Sequence, residues 1–117
     1  MEQLVKPLPE TQQRPVRRAR RYPFAAGVDL TDLQSEIHIQ ERAIELSLYG
    51  CGVVATNPFS AGTRVQIRIA HGGDNFVALG RVIYALGDGE MGIAFTRVEQ
   101  NNQIILEKWI SEQRGHR

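Results

Sequence analysis

The chain is 117 residues long, 42% apolar, 23% charged and 7% aromatic, with 11 glycines and five prolines. That length suits one domain with a short tail, and the apolar share excludes wholesale disorder. The formal net charge of +1 hides an uneven layout: Arg14, Arg17, Arg18, Arg20 and Arg21 fall within eight consecutive positions, and from Tyr22 onward acids outnumber bases.

A chain of this size buries roughly two-thirds of its unfolded surface, so a core without metal or disulfide support is feasible. No apolar run is long enough for a spanning helix, and the first residues lack the apolar stretch of a secretory signal. The expectation is a cytoplasmic domain with no membrane insertion. A single cysteine, Cys51, cannot form an internal disulfide, and with three dispersed histidines it makes a poor metal site.

Residues 1–16 contain Pro7, Pro9 and Pro15 among Gln, Thr and Glu, which predicts an extended, mobile leader without helix or strand. Beyond Tyr22 the pattern is one of short strands. Gly27 to Leu33 and Glu36 to Gln40 alternate apolar with polar residues, and Ile44-Glu45-Leu46 continues toward a turn at Tyr49-Gly50. Cys51 to Ala55 is a short apolar run ended by Asn57-Pro58. Thr63 to Ile69 alternates cleanly, with Val65, Ile67 and Ile69 on one side. Gly72-Gly73-Asp74-Asn75 is a hairpin signal leading into a long strand from Phe76 to Tyr84, where Gly80 predicts a bulge or bend. A second turn at Gly87-Asp88-Gly89 precedes Met91 to Phe95.

The period then changes. Thr96 and Glu99 have the spacing of a capping box, Ile105, Leu106, Trp109 and Ile110 recur at helical spacing, and Gly115 is a candidate stop. Six short strands followed by one helix, with no alternation of strand and helix, predict an all-β antiparallel barrel closed by a C-terminal amphipathic helix. That helix is expected to lay Ile105, Leu106 and Trp109 over one barrel opening or flank.

Signals for catalysis are weak. Ser47 lacks the first glycine and the parallel α/β setting of a nucleophile elbow. Cys51 reads as a small apolar core residue. His38 reads as a solvent-facing strand residue, and neither His71 nor His116 has an argument for pairing with Ser47 or Cys51. The paired glycines lack the setting of a phosphate loop. The chain is not expected to be an enzyme.

Signals for binding are better. Arg17 and Arg21 are separated by four, and guanidinium groups offer paired planar donors that suit phosphate oxygens or a guanine edge. Glu45-Leu46-Ser47-Leu48-Tyr49-Gly50 sets a carboxylate and a hydroxyl two positions apart in a strand, so the two project on one face. The carboxylate can accept from the N1–H and N2–H donors of guanine, with the hydroxyl beside it. Gly50 is expected to permit a tight turn with positive φ. An ordinary polar strand face running into a hairpin explains the same hexapeptide.

These two features, in this order, resemble the PilZ family. Its pattern is R-x-x-x-R just before a six-stranded barrel, then (D/N)-x-S-x-x-G, then a C-terminal helix. Arg17-Arg18-Ala19-Arg20-Arg21 supplies the first element, and Glu45 to Gly50 looks like the second, with Ser47 and Gly50 in place. Gly62-Thr63-x-Val65, Gly80-Arg81-Val82 and Met91 to Phe95 also look like the family's strands. The resemblance spans Arg14 to Gln113. It implies a leader over 1–16 and a PilZ-like barrel domain over 17–114, with an arginine arm over 17–21 and a helix over about 98–113.

What the resemblance implies is binding of cyclic di-GMP, a bacterial second messenger, with no further cofactor. Carried over, Arg17 and Arg21 grip phosphates and guanine edges, Glu45 and Ser47 hold a guanine on the barrel surface, and Gly50 shapes the turn. Arg18 and Arg20 are supporting candidates, because the register can slip to Arg14 and Arg18, although that slip places Pro15 inside the motif. Glu45 stands where the family has Asp or Asn, and its extra methylene displaces the oxygens by about a bond length, against a useful hydrogen-bond range of ~2.7–3.2 Å.

Three functions follow. In the first, the chain is a cyclic di-GMP receptor that signals to a downstream protein by ligand-induced ordering of the arm. In the second, it is a degenerate PilZ-like adaptor that captures a protein without nucleotide. In the third, the arginines form a nucleic-acid or membrane-surface arm; only Tyr22 and Phe24 offer nearby aromatics and no basic stripe continues along the strands except Arg64 and Arg68, so no DNA partner is expected.

Overall fold

The computed structural model describes residues 19–115. The leader at 1–16, Arg17, Arg18 and His116 therefore lie outside the described residues. Six strands and one helix follow in order: β1 (Tyr22–Asp32), β2 (His38–Ser47), β3 (Gly50–Val54), β4 (Arg64–His71), β5 (Asp74–Ala85), β6 (Glu90–Arg97) and α1 (Gln100–Arg114). The strands close into a barrel in the order β1-β2-β3-β6-β5-β4, and every neighbouring pair is antiparallel.

Alternation drives the closure. Phe24, Ala26, Val28 and Leu30 of β1 turn inward, as do Val65, Ile67 and Ile69 of β4 and Phe76, Ala78 and Val82 of β5. Residues between them face water, so each strand supplies one apolar edge to a shared interior. The β4–β5 connection is two residues long: His71 pairs with Asp74, and Gly72 and Gly73 have φ of 60° and 87°. Positive φ at both central positions matches the twist of the strands, which is why two glycines stand there. The bend expected at Gly80 is present as a register shift between Leu79 and Gly80 against β6.

The helix closes one end of the barrel. Leu106, Trp109 and Ile110 are buried, with Ile105 partly buried against the core. The Trp109 ring lies 5.4 Å from Phe24, 5.5 Å from His71 and 6.2 Å from Phe76, centroid to centroid. Those three partners sit at the start of β1, the end of β4 and the start of β5, which is one end of the barrel. Asn102 Oδ1 accepts from the Val77 N–H at 2.8 Å, and Lys108 Nζ reaches Asp74 Oδ2 at 2.9 Å, so two polar contacts fix the helix to β5.

Three local expectations change. β1 begins at Tyr22, five residues before Gly27, because β2 continues to Ser47 and its last residues need a partner: Tyr22 pairs with Leu46. The capping box does not form. Thr96 is still in β6, whose ladder to β5 extends as far as Arg97 opposite Leu79, and Glu99 is the N-cap with no side-chain hydrogen bond. Its carboxylate meets Arg97 at 3.5 Å instead. Gly115 does end the helix, but with φ of −77°, so the stop makes no use of glycine's left-handed range.

Candidate functional site

Pairing of β1 with β2 sets the position just before Tyr22 beside the end of β2, since Pro23 lies opposite Glu45. Arg21 Nη1 stands 3.7 Å from Glu45 Oε1 there. The orientation of Glu45 comes from a break in β2. Ala43 and Leu46 both face the interior, at 1% and 0% exposure, with two residues between them instead of one. The ladder to β3 slips at the same place, from Ala43 opposite Val53 to Glu45 opposite Gly52. This is a β-bulge, and its effect is to turn both Ile44 and Glu45 to the outside. A Cβ added to Gly52 would lie 3.5 Å from Glu45 Cβ and 3.7 Å from Ile44 Cγ1, so both side chains flank that glycine.

Ser47 closes the turn that follows. Its Oγ accepts from the Tyr49 N–H at 3.2 Å and donates to the Gly50 carbonyl at 3.4 Å, so the hydroxyl holds the β2–β3 hairpin together while lying beside Glu45. Gly50 corrects the expectation of positive φ: it is not among the residues in that region. It pairs with Ala94, and an added Cβ would run into the Ile93 carbonyl oxygen. Close approach of two backbones, rather than a left-handed turn, is what requires glycine at this position.

Arg21, Glu45, Ser47 and Gly50 line one cavity of about 610 Å³. Arg20 is exposed and does not line it. The far wall contains residues for which the sequence suggested no role. Tyr84 of β5 lies over Gly92 of β6, its ring occupying the space a Cβ on Gly92 would need. Gly92 pairs with Gly52 on one side and with Tyr84 on the other. Two glycines thus meet on adjacent strands, with Glu45 on one flank and an aromatic ring on the other. The Tyr84 hydroxyl donates to Glu90 Oε2 at 3.2 Å, which fixes the ring. Burial pushes the phenol above its usual pKa, and the hydrogen bond to the Glu90 carboxylate adds to the rise. The one signal available in the sequence was a glycine in mid-strand, which marks a close approach by another group.

Chemically the site offers cation, carboxylate, hydroxyl and aromatic ring around a shallow apolar floor that includes Ile93 and Ala94. Cys51 also borders it, but the side chain is buried, and burial pushes the thiol from 9.0 up to about 12, far from a reactive thiolate.

The model of the PilZ domain family matches residues 15–112. The chain belongs to that family. The match takes in the arginine arm, the barrel and nearly all of α1. Among solved structures, the PilZ domain of CeSA from a cellulose-synthesizing bacterium is similar at 21% identity and a TM-score of 0.65, covering 80% of this chain and 96% of that one. The PilZ domain of YcgR from Escherichia coli, solved with c-di-GMP, is similar at 20% identity and a TM-score of 0.65, covering 86% and 92%. The inhibitor of motility MotI (DgrA) from Bacillus subtilis is similar at 16% identity and a TM-score of 0.71, over 89% of this chain and 54% of that protein. Comparison with curated protein sequences finds no match. The shared PilZ fold is a closed six-stranded antiparallel barrel with one C-terminal helix. No helix among the described residues is long and apolar enough to cross a membrane.

Proposed function

We propose that this PilZ domain is a receptor for cyclic di-GMP, a regulatory binding module rather than an enzyme, and that it passes the signal to a protein partner in the cytoplasm. The observation that carries the reading is the gathering of Arg21, Glu45, Ser47 and Gly50 on one cavity; these are positions that the resemblance matches to the two family motifs. The YcgR domain from Escherichia coli, which has the same fold, was solved with c-di-GMP. Arg21, joined by Arg17 from outside the described residues, supplies donors to phosphate and to a guanine edge. Glu45 accepts from the guanine N1–H and N2–H, and Tyr84 gives the base an aromatic face. Arg18 and Arg20 add positive charge near the phosphates.

Arg21 and Glu45 face each other across 3.7 Å, each more than a third exposed. Ligand entering between them exchanges one weak, solvated ion pair for contacts from both partners to the nucleotide. The arm is thereby redirected, and the change is read by a partner at the barrel rim beside α1. The same ion pair supports a second reading, in which Glu45 and Arg21 satisfy each other and the domain captures its partner without nucleotide.

Calorimetric titration of the intact chain with cyclic di-GMP separates the two. Saturable binding that weakens at least tenfold in Arg17→Ala and in Arg21→Ala supports the receptor. Absence of heat at high micromolar nucleotide overturns it and leaves the adaptor.

A further inference from the structure

β4 and β5 place Arg64 directly opposite Arg81, and both side chains are exposed. Like charges in opposed positions destabilise an antiparallel pair. Among the described residues, no carboxylate lies within ion-pair distance of either guanidinium. The barrel therefore carries an opposed pair of like charges that no acidic side chain among the described residues offsets.

The location of that repulsion is informative. Ser47 pairs with Gly50, Gly50 with Ala94, Ala94 with Arg81, and Arg81 with Arg64. One ladder row thus crosses five strands, from the candidate site to the two arginines. Ser47, Gly50 and Ala94 line the cavity, and so does Ile83, the next exposed residue after Arg81 along β5. Arg81 stands immediately beyond the rim. Between Gly50 and Arg81 only the methyl group of Ala94 rises from the sheet, over a distance of about 10 Å, or two strand spacings. Repulsion from Arg64 acts across the ladder, away from β4, in the direction of Ala94 and the cavity.

Arg21 occupies the opposite flank, on the β1–β2 side. A cyclic dinucleotide carries two phosphodiesters on opposite sides of its ring. Lying across the row, it presents one to Arg21 and the other to β5. The geometry points to Arg81, supported by Arg64, as a second phosphate anchor at the β5 edge of the cradle, an inference that rests on the nucleotide reading above. The opposed pair then has a function: the ligand's phosphate supplies a counter-charge that the described residues do not.

The test is titration of the intact chain with cyclic di-GMP, comparing wild type with Arg81→Gln, Arg64→Gln and Arg68→Gln. Loss of a charge-assisted contact predicts about tenfold weaker binding for Arg81→Gln, and a smaller loss, about two- to threefold, for Arg64→Gln. The thermal midpoint of both holds or rises, because each removes one member of the opposed pair. Arg68, on the same strand but opposite Val77 and off the row, is the control, and its variant keeps wild-type affinity. Binding by Arg81→Gln at wild-type strength overturns the anchor alone, as does an equal loss in Arg68→Gln, which would mark a diffuse field. A wild type that takes up no nucleotide overturns the receptor reading and the anchor with it.

Discussion

Along β4, Arg64, Gln66 and Arg68 face water while Val65, Ile67 and Ile69 face the core, without a break. Along β2 the same rule holds only as far as Ala43, where the bulge turns two consecutive residues outward. β1 also shifts register between Pro23 and Ala26, on the strand that leads in from the arginine arm. One wall of the barrel is regular because it only has to bury an edge. The other is irregular where it aims Arg21 and Glu45 at each other. Bulges cost ladder hydrogen bonds, and they concentrate where a side chain must be redirected.

The sharpest way to break this comparison is to attack what both walls share. Trp109 packs on Phe24 from β1 and His71 from β4, so it ties the irregular wall to the regular one under the helix. Trp109→Ala is expected to cost about 3–5 kcal/mol, as for other buried aromatic truncations. Chemical denaturation checks it; a loss below about 1 kcal/mol would mean that α1 is not part of the cooperative unit.

Next in size is Gly50→Ala. The added methyl meets the Ile93 carbonyl oxygen, which belongs to the backbone of β6 and has little room to yield. Overpacking of this kind costs about 1–3 kcal/mol, and here it pushes β3 from β6 beneath the cavity, so nucleotide affinity should fall as well. Gly27→Ala is the contrast, since an added Cβ there meets nothing within 4 Å. Equal stability of the two variants would remove the close-approach explanation for Gly50.

The regular wall was legible in advance because its information is local. A period of two, glycines at a two-residue hairpin and helical spacing at Leu106, Trp109 and Ile110 each declare themselves within a few residues. Six strands and a closing helix follow from that. The site was legible only in part. Glu45, Ser47 and Gly50 stood out as a motif, and the structure puts them with Arg21 on one cavity. The reason for Gly50 is not local, because a clash with Ile93 depends on β3 pairing with β6, some 40 residues away in the chain. Tyr84 and Gly92 carry no local sign of a place in the site for the same reason: neither is unusual until β5 and β6 are side by side. Thr96 and Glu99 misled in the opposite direction, since a valid local cap signal lost to a ladder that ran on to Arg97.

Arg21→Ala sharpens the comparison from the functional side. The ion pair it removes is exposed, with side-chain accessibilities of 63% and 37% for Arg21 and Glu45, so the stability change should stay below about 1 kcal/mol. Cyclic di-GMP affinity should nevertheless fall at least tenfold. Thermal melts and titrations on one preparation check both halves; an affinity loss accompanied by a large drop in melting temperature would assign Arg21 to the scaffold instead.

The smallest effect at neutral pH belongs to Cys51, which sits between the cavity and the core. Its thiol is held protonated up to about 12 by burial, whereas an exposed thiol ionises near 9.0. Between those values the unfolded chain binds fewer protons than the folded one, so stability declines as pH rises. Near pH 7 both states keep the proton and the contribution vanishes. Above about pH 9 the penalty grows toward its limiting slope of about 1.4 kcal/mol per pH unit. The measurement is the difference between wild type and Cys51→Ala in denaturant stability at pH 7 and pH 10, which cancels the titration of every other group. Wild type should lose ground to the variant on going to the higher pH. No change in that difference would mean that water reaches the thiol through the cavity, and that the apolar floor beneath Ser47 and Gly50 is less closed than its packing shows.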